Sequence, residues 1–260
     1  MFIDTHCHLD ATAFDPDRAA VIARAHAAGV MTMVVPAVEA GGFAALEALA
    51  GATPGVARAF GLHPLFVDRA QPADLDLLAE RLDQPSVVAV GEIGLDGYVS
   101  APDLAAQRQW FAAQLDLAHE FDLPVILHVR HAVDAVIQLL RRARVRGGIA
   151  HAFNGSRQQA DQLLGMGIKL GFGGTLTFAG SRRIRALAAG LPEDAIVLET
   201  DAPDIPPSWA RGQRNEPAAV ARIAAELAAL RGSTVEDVAA MTSRNARAAL
   251  PRLEAVSGGA

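Results

Sequence analysis

Residues 2–10 read FIDTHCHLD, a short apolar strand that ends in two histidines separated by one residue. Alternate residues of a strand project to the same face, so the imidazoles of His6 and His8 should lie side by side. Cys7, between them, should point to the opposite face and pack against helices. Packing alone gives no reason to bury two imidazoles together, and a shared metal ion is the simplest explanation.

The apolar strand that ends in His6 and His8 is the first of a longer series of apolar runs. Each run leads into an amphipathic, alanine-rich segment, and β-branched residues with flanking Gly and Pro favour strands. Near-continuous apolarity is typical of parallel strands buried on both faces. The eight predicted strands cover residues 2–8, 31–38, 56–63, 86–95, 123–129, 147–153, 167–174 and 195–201.

The segments between the strands carry helix signals. Asp15-Pro16 predicts the start of the first helix, and Ser233 with Glu236 has the spacing of a capping box for an extra C-terminal helix. Eight strand–helix units in about 230 residues are what a (β/α)₈ barrel needs. We therefore predict an α/β fold, a TIM barrel forming a single domain over residues 1–260. A doubly wound open sheet is the alternative.

Composition limits the classes of function. Hydrophobic residues make up 51% of the 260 residues, and the formal net charge is −6. No strong positive field attracts nucleic acid or anionic membrane, so a polyanionic substrate would need bound metal or local positive charge. One cysteine suits a reducing compartment, and no apolar segment approaches the roughly 18 residues that span a bilayer. We expect a cytoplasmic protein without a membrane contact or an obligate protein partner.

Residues able to bind metal fall at the carboxyl ends of the predicted strands. In a barrel these ends meet at one mouth, where barrel enzymes place their chemistry. Imidazole and carboxylate ligands suit Zn, Mn, Fe or Ni, whereas carboxylate and water alone would suit Mg. The set consists of His6, His8, His63, Glu92, His128, His151 and Asp201.

Four histidines with two carboxylates are enough for two metal ions. A carboxylate such as Glu92 can bridge two ions at the spacing of roughly 3.5–4 Å found in binuclear hydrolytic sites. Such a pair would hold a hydroxide as nucleophile, and Asp201 could take the proton from the attacking water. His63 has a plainer alternative as a core residue. His131, at a predicted helix start, is expected outside the metal site.

Seven motifs, in order from about residue 1 to 250, resemble those of the TatD family of metal-dependent hydrolases. They are FIDTHCHLD, GLHP, GEIGLD, LPVILHVR, HAFNGS, LETDAPDIP and RNEP. Any one of these motifs is weak, but the ordered set is specific. The segment after GEIGLD departs from the family pattern, so the loop around residues 96–103 is expected to present a different substrate surface.

The resemblance implies a role for each matching residue. One divalent ion would be held by His6, His8, Glu92 and Asp201, and the second by Glu92, His128 and His151. His63 would lie near a phosphate, with Arg214 and Asn215 beside the site as further substrate contacts. A structural cap is the alternative for Asn215. Glu199 would orient one of the metal ligands without itself contacting the metal.

The resemblance also implies an activity. Family members are described as metal-dependent deoxyribonucleases, often with exonuclease character. We expect a phosphodiesterase that uses two divalent ions (Zn, Mn, Mg or similar) and a metal-activated hydroxide on single-stranded DNA ends, with Glu92 and Asp201 as catalytic groups. The alternative keeps the metals and cleaves a carboxylic ester or amide, such as a D-aminoacyl-tRNA. A non-catalytic metal-binding barrel is less consistent with a complete ligand set.

Overall fold

The computed structural model describes residues 1–98 and 103–257. Half of the loop predicted to present a different substrate surface, residues 99–102 of 96–103, lies outside the described residues. No helix in the described ranges is long and apolar enough to cross a membrane.

Eight parallel strands in the described chain form one sheet, ordered β1 to β8 as in the sequence. Each strand pairs with the next. The strands are β1 Phe2–Asp4, β2 Val30–Pro36, β3 Val56–Phe60, β4 Val87–Asp96, β5 Val125–Arg130, β6 Gly148–Ala150, β7 Ile168–Phe172 and β8 Ile196–Leu198.

Hydrogen bonds between the segment that follows β1 and the last strand bring the sheet round into a nearly closed barrel. The amide and the hydroxyl of Thr5 both donate to Leu198 O, each at 3.0 Å. One step further, the Asp201 amide donates to His6 O at 2.8 Å. A doubly wound open sheet would order its strands differently from the sequence, so the TIM barrel prediction is confirmed.

Helices alternate with the strands and surround the barrel. The helices of the described chain are α1 Arg18–Ala27, α2 Phe43–Ala52, α3 Pro72–Leu82, α4 Leu104–Glu120, α5 Val133–Ala143, α6 Arg157–Leu164, α7 Arg182–Gly190, α8 Ala219–Arg231, α9 Val235–Ala249 and α10 Leu253–Ser257. The predicted extra helices at the C-terminus are α9 and α10.

Two predicted helix starts were shifted. Asp15-Pro16 does not open α1, which begins at Arg18, and the Asp15 carboxylate instead pairs with the Arg18 side chain at 2.6 Å. The capping box of α9 is displaced by one residue, since Thr234 Oγ1 accepts the Asp237 amide at 3.1 Å. The two helices therefore begin two residues and one residue later than predicted.

The C-terminal helices cover the amino end of the barrel. Ala246, Ala249, Leu250 and Leu253 belong to the same buried apolar cluster as residues inside the barrel such as Ile3. Asn245 Nδ2 donates to Ile196 O at 2.8 Å, which ties α9 to β8. Because this end is filled, a ligand can reach the barrel axis only from the carboxyl ends of the strands.

Several strands are shorter than predicted, and backbone geometry explains two of the endings. Ala152 and Asp201 have positive φ angles of 45° and 58°, which an extended strand does not allow. β6 therefore ends at Ala150 and β8 at Leu198. The metal-binding candidates near these endings project from short irregular segments at the mouth.

Candidate metal centre

His6 and His8 lie together just beyond the end of β1. Their Nε2 atoms are 3.3 Å apart, and Asp201 Oδ1 lies 3.4 Å from His6 Nε2 and 3.6 Å from His8 Nε2. Cys7 is fully buried in the apolar cluster that contains residues of the surrounding helices, as its predicted face requires. The two imidazoles thus converge on the side of the strand that faces the barrel mouth.

Glu92, in β4, completes this group. Its Oε2 lies 3.2 Å from His6 Nε2 and 3.5 Å from His8 Nε2. Five of the six distances among these four donor atoms therefore fall between 3.2 and 3.6 Å. Donors bound to one tetrahedral zinc ion at about 2.0–2.1 Å would lie roughly 3.3 Å apart.

The other oxygen of Glu92 faces a second group of histidines. Glu92 Oε1 lies 2.9 Å from His128 Nδ1, 2.8 Å from His151 Nε2 and 3.4 Å from His63 Nε2. His128 Nδ1 and His151 Nε2 are 3.2 Å apart. The single carboxylate of Glu92 thus lies between two sets of donor atoms, one on each oxygen.

The chemistry of Glu92 fits a bound cation. Burial alone would raise the pKa of this carboxyl, but the histidines facing it, His151 foremost, hold the pKa well below its ordinary value. Among the described residues, Glu92 Oε2 has no hydrogen-bond partner of good geometry. A buried carboxylate oxygen without a partner is costly, and a cation between it and the converging nitrogens would satisfy it. The donors present therefore fit divalent metal.

His63 approaches the second group closely enough to be a ligand, but its other ring nitrogen indicates a different role. Nδ1 of His63 accepts the Leu65 amide at 3.1 Å. Burial lowers the pKa of His63, so the ring is neutral and carries its proton on Nε2. A protonated Nε2 cannot bind metal. His63 thus presents an N–H donor to the centre, and its contact with a phosphate stays a prediction.

His128 has the opposite arrangement. Its Nε2 lies 3.0 Å from Asp96 Oδ2 and its Nδ1 lies 2.9 Å from Glu92 Oε1, so a neutral ring that donates its Nε2–H to Asp96 would leave the Nδ1 lone pair for a bound cation. Burial would raise the pKa of Asp96, but hydrogen bonds from His128 and the Tyr98 amide lower it. A carboxylate behind a metal-ligating histidine is a common device for fixing the ring.

Asp96 was not among the predicted site residues, although the sequence contains a signal for it. Asp96 is the last residue of the motif GEIGLD and lies four positions after Glu92 in β4. Residues separated by an even number of positions along a strand share a face, so the spacing from Glu92 indicates that Asp96 faces the same mouth.

A second residue that was not predicted, Asp4, accepts hydrogen bonds from the Thr200 hydroxyl at 2.6 Å and the His6 amide at 3.2 Å. Burial raises the pKa of Asp4 to about 7.

Glu199 is buried next to the segment that carries His151. Its Oε1 accepts the amide of Ala152, the residue after His151, so the contact runs through backbone rather than through the imidazole. Burial raises the pKa of Glu199 to about 8. A Cβ at Gly171 would lie 2.1 Å from Glu199 Oε2, so only glycine leaves room for this carboxyl.

Arg214 and Asn215 are both held by contacts within the protein. Arg214 pairs with both oxygens of Asp17, at 2.7 and 2.8 Å, and with Glu216 at 3.1 Å. Asn215 is buried, and its Nδ2 donates to Thr200 O at 2.9 Å and to Asp204 O at 3.0 Å. These contacts of Asn215 are the kind that a structural cap, the alternative prediction for this residue, would make. A direct substrate contact by either side chain stays a prediction.

The two groups of donors lie at the base of a cavity of about 390 Å³. Its wall includes five carboxylates, those of Asp10, Glu92, Asp96, Asp201 and Asp204. Among the described residues that line the cavity, Arg130 is the one with a permanent positive charge. The acidic lining would repel an anionic substrate unless cations were bound.

Known proteins resemble this chain along nearly its whole length. Residues 3–251 match the family model described as TatD related DNase. The uncharacterized metal-dependent hydrolase YjjV of Escherichia coli (strain K12) is 42% identical over 241 residues, 92% of this chain and 93% of YjjV. The 3′-5′ ssDNA/RNA exonuclease TatD of Klebsiella pneumoniae (strain 342) is 33% identical, over 94% of this chain and 95% of its own.

A solved structure shows the same architecture. The crystal structure of YjjV, a TatD homologue from Escherichia coli K12, is similar to this one with a TM-score of 0.93 and 40% sequence identity. The similarity covers 96% of this chain and 98% of that one. The sequence motifs, the family model and this likeness agree: the chain belongs to the TatD family of metal-dependent hydrolases.

Proposed function

We propose that the protein is a divalent-metal-dependent phosphodiesterase that removes nucleotides from the ends of single-stranded DNA. The observation that carries the proposal is the position of Glu92, whose two carboxylate oxygens face two separate groups of donors. When bound, two divalent cations supply Lewis-acid stabilisation of a phosphoryl group and a water acidic enough to attack it.

The residues divide between two binding positions. The first is formed by His6, His8, Asp201 and Glu92 Oε2, four donors with nearly tetrahedral separations. The second has His128, His151 and Glu92 Oε1, three donors within 3.2 Å of one another. Catalytic sites commonly use three protein ligands and leave one position for water or substrate.

Asp201 is suited to accept a proton during the reaction. Its side chain is 13% exposed and lines the cavity, so a water there can reach it. Its Oδ1 lies beside His6 and His8, which leaves Oδ2 as the oxygen that can accept a proton from a water molecule.

His63 is suited to hold the phosphoryl group. Its Nε2–H lies 3.1 Å from His128 Nδ1 and 3.4 Å from Glu92 Oε1, at the edge of the second donor group. A neutral imidazole donor at this position can stabilise charge on a non-bridging oxygen as the phosphodiester is attacked. It does so without competing for metal.

The cavity favours a single-stranded end as substrate. A volume of about 390 Å³ is at the lower end of small-molecule sites and accommodates a nucleotide-sized group, not a duplex. A relative, TatD of Klebsiella pneumoniae, is named as a 3′-5′ ssDNA/RNA exonuclease. That name supports a nucleic-acid substrate here.

The direct test is hydrolysis of an end-labelled single-stranded oligonucleotide before and after chelation. We expect stepwise shortening, loss of activity on chelation, and recovery when Mg²⁺ or Mn²⁺ is added back. The same preparation is supplied with an aminoacyl ester of a ribonucleotide. Metal-dependent cleavage of the ester without cleavage of DNA would overturn the phosphodiesterase proposal and support the alternative reaction.

A further inference from the structure

Three side chains are stacked at the rim of the metal centre, in an arrangement that packing does not require. The guanidinium carbon of Arg130 lies 3.9 Å from the centroid of the Tyr98 ring. The Tyr98 and His131 rings are stacked with centroids 5.7 Å apart and planes 29° from parallel. We call Tyr98, Arg130 and His131 the rim stack.

The stack is exposed although it is rich in aromatic surface. Tyr98, the only tyrosine of the chain, is 48% exposed, and the Arg130 side chain is 50% exposed. Ring surface left in water gains nothing for folding. An ordered aromatic–guanidinium stack that remains half open to solvent is a surface that another planar group can cover.

The backbone holds the stack in a fixed position. The Gly97 amide donates to Arg130 O at 2.7 Å, and the Tyr98 amide donates to Asp96 Oδ1 at 2.8 Å. A Cβ at Gly97 would lie 2.8 Å from His131 O, so glycine is needed for this close approach. The stack is therefore preorganised, which lowers the entropic cost of binding a ligand on it.

One carboxylate joins the stack to the metal centre. Asp96 Oδ2 is 3.0 Å from His128 Nε2 and 3.9 Å from an Arg130 guanidinium nitrogen. Arg130 also lines the cavity that contains both groups of metal donors. A planar group placed on the rim stack would thus lie directly beside whatever phosphoryl group occupies the centre.

We propose that the rim stack binds the unpaired nucleobase next to the phosphodiester that is cleaved. The proposal rests on the proposed function, since it takes a nucleic-acid end as the substrate. Bases of single strands stack on aromatic rings and on arginine guanidinium planes, and every base offers such a face. The stack therefore selects for an unpaired base rather than for a particular sequence.

Binding of a fluorescent oligonucleotide tests the proposal without requiring turnover. The metal-loaded protein is titrated with a short single strand that has phosphorothioate linkages and 2-aminopurine at its 3′ end, whose fluorescence falls on stacking. A second strand has an abasic residue at that position. For the native protein we expect quenching and roughly tenfold tighter binding of the strand with the base, the range of one stacking contact.

Variants identify the residues responsible. Tyr98→Ala and Arg130→Lys should remove both the quenching and the preference over the abasic strand, while Tyr98→Phe should keep them. Arg130→Lys retains the charge but not the planar group, so it separates stacking from simple attraction to phosphate. Arg142→Lys, on the exposed face of α5, is the matched control and should behave like the native protein.

The results that would overturn the proposal are distinct from a failure of the proposed function. Equal binding of the two strands by the native protein, or an unchanged preference in Tyr98→Ala or Arg130→Lys, would exclude the stacking role. Hydrolysis of the matching phosphodiester strand is measured on the same preparation. Base-dependent binding without hydrolysis would contradict the phosphodiesterase but support the rim stack, and hydrolysis with base-independent binding would contradict the rim stack alone.

Discussion

Individual ring nitrogens decide what each histidine of the centre can do. His63 and His128 both lie within 3.4 Å of Glu92 Oε1, yet their outer nitrogens have opposite partners. The backbone amide of Leu65 binds Nδ1 of His63, so the proton of that ring is on Nε2 and faces the centre. Asp96 binds Nε2 of His128, so the nitrogen of that ring that faces the centre is Nδ1. One ring is therefore a donor and the other a ligand.

Substitution of these histidines should separate metal binding from chemistry. His63→Ala should keep its metal content and lower kcat roughly 10²-fold, the range for losing one donor to a developing charge. His151→Ala should lose metal, because its Nε2 lies 2.8 Å from Glu92 Oε1 and 3.2 Å from His128 Nδ1, within the second group of donors. Elemental analysis and kinetics on both variants provide the measurement. Metal loss from His63→Ala equal to that from His151→Ala would contradict the assignment.

Asp96 gives a second prediction at the same scale. Asp96→Asn should weaken binding at the second metal position by about 10- to 100-fold, because the His128 ring is no longer held by a charged acceptor. Competition with a chelator of known affinity measures the loss. Asp116→Asn, an exposed residue of α4, is the control. Equal affinities in the two variants would show that Asp96 does not orient His128.

Loops and helices are held beside the site by charged pairs that the sequence did not reveal. Asp17, just before α1, accepts two hydrogen bonds from Arg214 and a third from Arg24. Glu216 bonds both arginines in turn, so this network joins α1 to the segment between β8 and α8. Arg214 is 29% exposed, which leaves solvent to screen much of the interaction.

The Asp17 network should make stability depend on pH in the acid range. Arg214 foremost, with Arg24, lowers the pKa of Asp17 from 3.8 to about 2. A depressed carboxyl pKa contributes stability that is present above the unfolded value and is lost as pH falls through the folded value. The urea midpoint of Asp17→Asn should thus lie below that of the native protein at pH 6, and the difference should shrink as the pH falls from about 4 toward 2.

A control isolates the network from general acid effects. Asp116→Asn removes an exposed carboxyl of α4 and should follow the native protein at each pH. A difference between the native protein and Asp17→Asn that stays constant down to pH 2 would mean that the charge of Asp17 is not the source. Added salt should also reduce the difference at pH 6.

At the scale of the whole molecule, the barrel has one filled end and one open end. Leu250 and Leu253 enter the apolar cluster of the barrel interior from the C-terminal segment, while all the metal-binding candidates lie at the opposite mouth. Stability and function are thus concentrated at different ends, as is general for this fold.

Shortening one buried side chain at the filled end should test whether stability and metal binding are separate. Leu250 is fully buried, so Leu250→Ala should reduce the free energy of unfolding by about 2–5 kcal/mol. Metal content of the folded fraction should not change, because the cavity is at the other end. Leu104→Ala, at a side chain that is 38% exposed, should cost less than about 0.5 kcal/mol. Chemical denaturation with elemental analysis measures both effects, and loss of metal from folded Leu250→Ala would contradict the separation.

The fold was predictable because its signals are local and repeated. Each of the eight apolar runs marks a strand, and residues such as His128 and Glu92 are recognisable as polar side chains toward the carboxyl ends of apolar runs. The exact ends of the strands were not predictable, since the positive φ of Asp201 and the hydrogen bond from its amide to His6 O are tertiary features. The first predicted strand ran four residues past the true end at Asp4.

Roles within the site depended on tertiary contacts that no spacing reveals. The proton position on His63 is set by an amide of the following loop, and the pairing of Arg214 with Asp17 joins residues 197 positions apart. The sequence predicted which side chains would gather at the mouth. It could not predict which of them would face the centre with a proton, with a lone pair, or through a neighbouring backbone amide.

The most direct test of the central claim is the number of metal ions bound per chain in the native protein and in Glu92→Gln. Native mass spectrometry after reconstitution with Zn²⁺ or Mn²⁺ gives this number for folded protein. We predict about two ions per native chain and fewer than one in Glu92→Gln, because both positions share this carboxylate. At most one ion in the native protein, or full occupancy in Glu92→Gln, would contradict a centre bridged by Glu92.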